Sequence, residues 1–385
     1  MKDSEIIIAG AGVVGLVAAL GMAHRGYQVV ILDAKPLPAE LETQADPRVF
    51  AINHASEQLL RKLDVWCLLA QERLAPYTHM HVWDGRTNAA IDFDRRDIGT
   101  KNLGYIIEES VLKSALLKKI ALNSAIELYP EHPVTTITTQ PKLKVISGED
   151  IWTGNLLMVA DGAQSQARAQ LEVKLTTWSY AQQAIVATMA TEKPHNDTAY
   201  QVFHPDGPLA FLPLANPHES SIVWSLDSIK AEDYYALSPA EFCQKVEHFF
   251  ASKLGTLKLV SPRYKFPLQM RHAQQYIGEQ WMLLGDAAHT IHPLAGLGLN
   301  LGLADVATWL NCIDAQKNKN NLRKALASYQ RQRKSEVWHV IAAMEGFKRL
   351  FGSTSLPSIG LRSLGLSLCN RSSLLKQFFI HQARG

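Results

Sequence analysis

Residues 5–36 read EIIIAGAGVVGLVAALGMAHRGYQVVILDAKP, and the parsing of this stretch governs everything around it. An apolar, β-rich run at Glu5–Ala9 leads into Gly10, Gly12 and Gly15 in G-x-G-x-x-G spacing. A helical pattern follows from Val14 to about His24, then a second strand at Gln28–Leu32 that ends in Asp33. Each part has a physical reason: Gly10 permits the tight turn, Gly12 lets backbone approach a pyrophosphate, and Gly15 lets helix and strand pack closely. The helix N-terminus meets the pyrophosphate with free N–H groups and its positive dipole end. Asp33 stands where a carboxylate accepts hydrogen bonds from an adenosine ribose. The unit predicts a dinucleotide site and does not choose between NAD and FAD.

The whole chain of 385 residues suits two ordinary domains or one elaborated domain. A net charge of +3 without a basic stripe excludes a phosphate-backbone partner. Cys67, Cys243, Cys312 and Cys369 are scattered, with no C-x-x-C and no metal-ligand spacing, which fits a reducing, cytoplasmic setting. Ile6–Ala23 is uncharged and long enough to suggest a membrane span or signal peptide. Its internal glycines, and Asp3 and Glu5 ahead of it, argue for a buried strand and helix instead. After Glu345 no acidic residue occurs, whereas Lys348, Arg349, Arg362, Arg371, Lys376 and Arg384 are basic among frequent Leu, Phe and Ile. Such an end, residues 346–385, suits the inner face of an anionic membrane or packing on the core.

Two later segments repeat one arrangement. In NLLMVADGAQSQAR, a strand at Asn155–Ala160 ends in Asp161-Gly162; in QWMLLGDAAHTIHP, a strand at Trp281–Leu284 runs into Gly285-Asp286. Strands ending in an acid beside a glycine put carboxylates at the carboxyl edge of a sheet, where open α/β folds bind ligands. ADPRVFAINHAS adds Arg48 on a turn, where it meets a flavin or phosphate or serves as a surface charge. Asp286, His289 and His292 have a metal-like spacing, but Pro293 breaks any helix there, so no metal is expected. GLGLNLG follows a proline-containing turn and not a strand, so it is not a second Rossmann loop.

Together these segments resemble the FAD-dependent aromatic monooxygenases of the p-hydroxybenzoate hydroxylase type, over nearly the whole chain. LGYIIEESVL (Leu103–Leu112), QVFHPDGPLAFLPL (Gln201–Leu214), SIVWSL (Ser221–Leu226) and GDAAHTIHPLAG (Gly285–Gly296) look like the ubiquinone-biosynthesis hydroxylases. VWD (Val82–Asp84), IVATMATEKPH (Ile185–His195) and EGFKRLFGST (Glu345–Thr354) resemble their 2-polyprenylphenol hydroxylase branch. The resemblance implies dinucleotide contact near Asp161, a ribityl contact from Asp286 and an FAD contact from Arg48. It also implies Pro293 near the flavin ring and the backbone of Gly298, Leu299 and Asn300 at its N1 and O2 edge, where a helix dipole favours negative charge. The family usually carries Gln and Val where this chain has Leu297 and Leu299, so a role for that glutamine side chain is absent.

The implied reaction is hydroxylation of a polyprenylphenol ring on the route to ubiquinone, through a flavin C4a-hydroperoxide. Water must be kept from such a site. The apolar run Pro208, Leu209, Ala210, Phe211, Leu212 and Pro213 suits a pocket wall, or an ordinary core strand. No catalytic acid or base stands out: His54, His204, Tyr105 and Asp206 have no spacing argument. With one G-x-G-x-x-G, the reductant is NAD(P)H docking transiently or a protein donor. A nicotinamide dehydrogenase leaves Asp161 and Asp286 idle, a flavin halogenase lacks its W-x-W-x-I-P segment here, and a hydrolase lacks G-x-S-x-G. A non-catalytic, FAD-bound, lipid-holding subunit of a biosynthetic complex stays open, as does another aromatic substrate.

The expected fold is α/β: a Rossmann-like, glutathione-reductase-like FAD domain from residues 1–75, 101–170 and 261–313. A β-rich substrate domain is expected from 76–100 and 171–260, and a helical, basic C-terminal region from 314–385, with a long helix to about Phe351.

Overall fold

The computed structural model describes residues 1–37, 41, 45–87, 89–291, 296–316 and 321–352. His292, Pro293 and residues 353–385 of the basic tail lie outside the described residues, as does the membrane or partner contact expected of that tail. The chain is mixed α/β. Its centre is a five-stranded parallel sheet in the order Trp281–Leu283, Leu156–Val159, Ile6–Ala9, Val29–Leu32, Ile126–Tyr129. The strands Ile6–Ala9, Val29–Leu32 and Leu156–Val159 are buried at every position. That suits their continuous apolar sequences, because layers cover both faces of a parallel sheet.

The uncharged stretch Ile6–Ala23 becomes the first strand, the glycine turn and the helix Val13–Ala23. No described helix is long and apolar enough to cross a membrane. The helix packs against Leu297–Asp314 through very small spacings: a Cβ on Gly21 would stand 2.7 Å from Leu310, and one on Gly302 2.7 Å from Val14. A four-stranded sheet formed by Lys2–Asp3, Asp150–Gly154, Leu143–Ser147 and Thr136–Thr138 backs this unit.

A nine-stranded sheet forms the second layer system. Its main path runs His289–Thr290, Tyr264–Ala273, Leu175–Thr191, Glu219–Asp227, Gly207–Pro213, Thr198–His204, His79–Asp84, Ala90–Asp94, with Leu257–Leu259 beside Leu175–Thr191. The helices Ser228–Ala236 and Pro239–Phe249 cover one face, where Ala231, Phe242 and Val246 pack on Trp224, Phe211 and Leu209. The strand Tyr264–Ala273 belongs to this sheet, pairing with Leu175 through Val186. The expected FAD-domain segment 261–313 thus opens with a strand of the large sheet, which pairs on its other side with His289–Thr290.

The C-terminal helix Leu322–Gly352 lies against both units. Tyr329 donates from its hydroxyl to Leu283 O at 2.8 Å, and Gln330 accepts from Tyr276 N at 2.8 Å. Val337 and Ile341 pack on Leu268 and Met270 of the large sheet.

Gly15 has the tightest packing in the glycine turn: a Cβ there would stand 2.0 Å from Gly10 O, whereas one on Gly12 meets nothing within 4 Å. Gly15→Ala should therefore cost on the order of 3 kcal/mol in a denaturant melt, as overpacking against rigid backbone does. Gly12→Ala should melt within about 1 kcal/mol of the parent, as an open helix N-cap position tolerates Ala at modest cost. Equal melts for the two variants contradict this packing.

Candidate functional site

The strand order reverses between Ile6–Ala9 and Leu156–Val159, and the register pairs Ala9 with Val159 and Val159 with Leu283. The carboxyl ends of three strands distant in sequence therefore stand side by side, about 4.8 Å apart, at the topological switch point where such sheets bind ligands.

At the first end Gly10 takes φ +105°, and a Cβ there would stand 2.5 Å from Ala160 O. Gly12 caps the helix Val13–Ala23 without any side-chain hydrogen bond, so its first-turn N–H groups face open space. Asp33 Oδ2 accepts from Ala11 N at 2.5 Å and Oδ1 from Lys35 N at 2.7 Å. These bonds fix the carboxylate beside the glycine turn and leave lone pairs for ribose hydroxyls.

At the second end Asp161 Oδ2 accepts from Ala167 N at 3.1 Å, while Oδ1 is buried with no partner among the described residues. A buried, orphaned carboxylate oxygen is costly unless a ligand hydroxyl satisfies it. Arg168 is buried and donates to Ala163 O at 3.0 Å and to Ala287 O at 2.9 Å, which ties the second strand end to the third. Burial lowers its guanidinium from the ordinary value, and Asp161 opposes that shift.

At the third end Asp286 makes no hydrogen bond to a described residue and is exposed. Protein nevertheless crowds it closely enough that desolvation raises its carboxyl above the ordinary value, against the pull of His289 and Arg48. Arg48 pairs with Glu109 at 2.9 Å and stacks over Phe50, with its turn fixed by Arg48 N on Asp46 Oδ1 at 2.9 Å. The structure thus brings Gly10, Gly12, Gly15, Asp33, Asp161, Asp286 and Arg48 to one sheet edge. Pro293 lies outside the described residues.

The helix Leu297–Asp314 starts at Gly296, whose φ of +63° suits glycine. Among the described residues no side chain caps it, and none stands within 4 Å of where a Cβ on Gly298 would be. The side chain of Asn300 is spent on the protein. Oδ1 accepts from Asn53 N at 3.1 Å and Ser56 Oγ at 2.8 Å, and Nδ2 donates to Ala51 O at 2.7 Å. Only the backbone of Gly298, Leu299 and Asn300 remains for a ligand, and the Leu299 side chain packs on the core.

The sequence reading missed the residue beneath this edge. Asp305 is 0% exposed. Its Oδ2 accepts from Gly285 N at 2.8 Å and His289 Nε2 at 2.8 Å, and its Oδ1 from Arg333 Nε at 2.6 Å. Burial pushes the Asp305 carboxyl up, but His289 and Arg333 together win and hold it below the ordinary value. A buried pair of this kind loses about 3–5 kcal/mol when one partner is removed, because the other charge is stranded. His289 is thereby turned into the core, away from any metal shared with Asp286. Nothing in the local pattern marks Asp305: a polar residue in an apolar helix reads as an exposed position until its partners, 16 to 28 residues away, are placed.

Comparison with known proteins agrees with the geometry. Residues 3–344 match the model of an FAD binding domain family. The Escherichia coli 3-demethoxyubiquinol 3-hydroxylase is 33% identical, covering 100% of this chain and 99% of that protein. The Rhodospirillum rubrum ubiquinone hydroxylase UbiL is 30% identical, covering 100% and 90%. This chain is an FAD-dependent monooxygenase of the ubiquinone-biosynthesis hydroxylase family. Among solved structures, p-nitrophenol 4-monooxygenase PnpA from Pseudomonas putida has the same fold, with a TM-score of 0.81, 15% identity and coverage of 100% and 98%. Klebsiella pneumoniae HpxO complexed with FAD and uric acid superposes with a TM-score of 0.74 at 15% identity, covering 95% and 93%.

In this monooxygenase the segment Pro208–Pro213 divides by alternation. Leu209 and Phe211 are wholly buried beneath the covering helices, so they line no pocket on the cofactor side. Pro208, Ala210 and Leu212 are half-buried on the opposite face, where Leu212 clusters with Val49, Ala51 and Tyr77. Ala51 in turn abuts Gly296, 3.1 Å from where a Cβ would stand. Two of the four acid–base candidates are engaged on the helix-covered side: His204 bonds Phe249 O at 2.8 Å, and Asp206 pairs with Lys230. His54 is an exposed helix residue 3.8 Å from Glu57, and Tyr105 packs edge-on to Trp66.

His272, cross-strand partner of His289, is buried with Nε2 unpartnered among the described residues. Desolvation, aided by His289 and Lys334, lowers its imidazole to about 4. The unfolded chain therefore takes up a proton near pH 6.5 that the folded chain refuses until about pH 4. Stability should fall across that window by up to about 3 kcal/mol from this group. His272→Phe should flatten the decline of melting temperature between those pH values; a variant that declines as steeply as the parent contradicts the assignment.

Proposed function

We propose that this monooxygenase hydroxylates the ring of a polyprenylphenol in ubiquinone biosynthesis. The observation that carries the reading is the apolar face of the large sheet beside the start of helix Leu297–Asp314. Leu212 and Ala51 pack on one apolar group there and Ala51 lies against Gly296, while a second apolar group, Leu268, Met270 and Ile291 with Leu301 and Val223, is covered by Val337 and Ile341 of the C-terminal helix. The half-buried apolar face of Pro208, Ala210 and Leu212 suits a phenol with a long isoprenoid tail. The full-length likeness to a hydroxylase named for 3-demethoxyubiquinol supports the same substrate class.

FAD, when bound and reduced, supplies the activated oxygen that is placed on the ring carbon. The protein's own contribution is orientation and exclusion of water. Gly12 and the N-terminus of Val13–Ala23 receive the pyrophosphate, and Asp33, Asp161 and Asp286 accept hydrogen bonds from cofactor hydroxyls. Arg48 lies over the site as an exposed cation, and the backbone of residues 298–300 offers donors to the electron-rich edge of the ring system. Pro208, Ala210 and Leu212 keep water from the reacting carbon, suppressing loss of the oxidant to solvent. Electrons come from a transiently docked reductant, NAD(P)H or a reduced protein, because the chain has one dinucleotide turn. Assembly with other enzymes of the pathway at the membrane's inner face fits the basic, apolar-rich residues 346–385.

Purified protein should be yellow, and incubation with reductant, O₂ and a prenylphenol should give a product heavier by one oxygen. Removing the isoprenoid tail from the substrate should abolish most of that turnover. Bound FAD without substrate-stimulated oxidation of reductant or any hydroxylated product contradicts the proposal and favours a lipid-holding subunit. Turnover of demethoxyubiquinol alone moves the reaction to a later ring position.

A further inference from the structure

Asp305 is wholly buried beneath the sheet edge, and both flavin-side segments hang on it and on Arg333. Gly285 directly precedes Asp286, takes φ +56°, and gives its N–H to Asp305 Oδ2 at 2.8 Å. Arg333, 1% exposed on the helix Leu322–Gly352, donates Nε to Asp305 Oδ1 at 2.6 Å and a terminal N–H to Leu301 O at 3.2 Å. Leu301 lies in the first part of the helix whose start faces the cofactor edge. A neutral side chain in place of Asp305 cannot accept three donors and balance Arg333 at once. The turn has little freedom to compensate, because Gly285 is confined between Val14 and Gly302.

We propose that Asp305 is a positioning residue for the flavin, which makes docking of the C-terminal helix through Arg333 a condition for correct placement of Asp286. The inference rests on FAD occupying the sheet edge, as proposed above. A buried ion pair that served stability alone would leave flavin affinity unchanged in any variant that remains folded. A positioning pair moves the Asp286 turn and the start of helix Leu297–Asp314 together, and the flavin reports it.

The test compares Asp305→Asn, Arg333→Met and His289→Phe with Phe242→Leu, a core substitution under the far helices of the large sheet. For each full-length protein the FAD dissociation constant, the visible absorption of bound flavin and the melting temperature are measured, with binding read below every melting point. Asp305→Asn and Arg333→Met should weaken FAD binding about tenfold, within the range of couplings between distinct sites, and shift the flavin band. Phe242→Leu should leave both flavin readings as in the parent despite a comparable fall in melting temperature. If Asp305→Asn does not fold, Arg333→Met and His289→Phe decide the matter. Variants that lose thermal stability but keep parental affinity and spectrum overturn the inference alone; a parent that takes up no FAD overturns it together with the functional reading.

Discussion

The parallel pairing of Ile6–Ala9 with Leu156–Val159, and of that strand with Trp281–Leu283, is the constraint on which the site depends. The three segments are separated by roughly 150 and 125 residues, and only the fixed register of a buried sheet puts their ends next to one another. The glycine turn alone can bind a pyrophosphate. With Asp161 and Asp286 alongside it, the edge becomes long enough for a complete dinucleotide. The intervening chain is free to build the nine-stranded sheet that faces this edge.

Small residues and buried charges make that pairing usable. Gly21 and Gly302 let the helices Val13–Ala23 and Leu297–Asp314 approach more closely than a side chain permits, and Gly15 does the same for the helix and the glycine turn. Arg168 ties the second strand end to the third, and Asp305 ties the third to the C-terminal helix. Polar groups buried in this way stabilise little in themselves. They are bonded to backbone at the turns, so they fix where those turns stand.

Legibility in the sequence followed the distance over which a signal acts. The strand, glycine turn, helix and acid of residues 5–33 form one local unit, and each step has its own residue type. The ends at Asp161 and Asp286 were readable because an apolar run stops at an acid beside glycine. Asp305 and Arg333 were not, since each is one polar position in a helical pattern and their meaning lies in a partner 28 residues away. Asn300 was readable as part of the flavin-side helix, but the commitment of its amide to Asn53, Ser56 and Ala51 depends on the packing of a separate helix. The pairing of Tyr264–Ala273 with Leu175–Thr191 was not legible, because nothing in the local composition of the strand names its partner. The Pro208–Pro213 run was legible as an apolar strand, and which half of it packs beneath the helices depends on its alternation in the sheet.

The central claim is that the glycine turn at Gly10 and the turn at Gly285–Asp286 are two halves of one FAD site. A crystal structure of the protein with bound FAD tests it most directly. The pyrophosphate should lie over Gly12, a ribityl hydroxyl within hydrogen-bond distance of Asp286, and the ring system between the start of helix Leu297–Asp314 and the face bearing Ala210 and Leu212. A cofactor anchored at Gly12 whose flavin end extends away from Asp286 contradicts the claim.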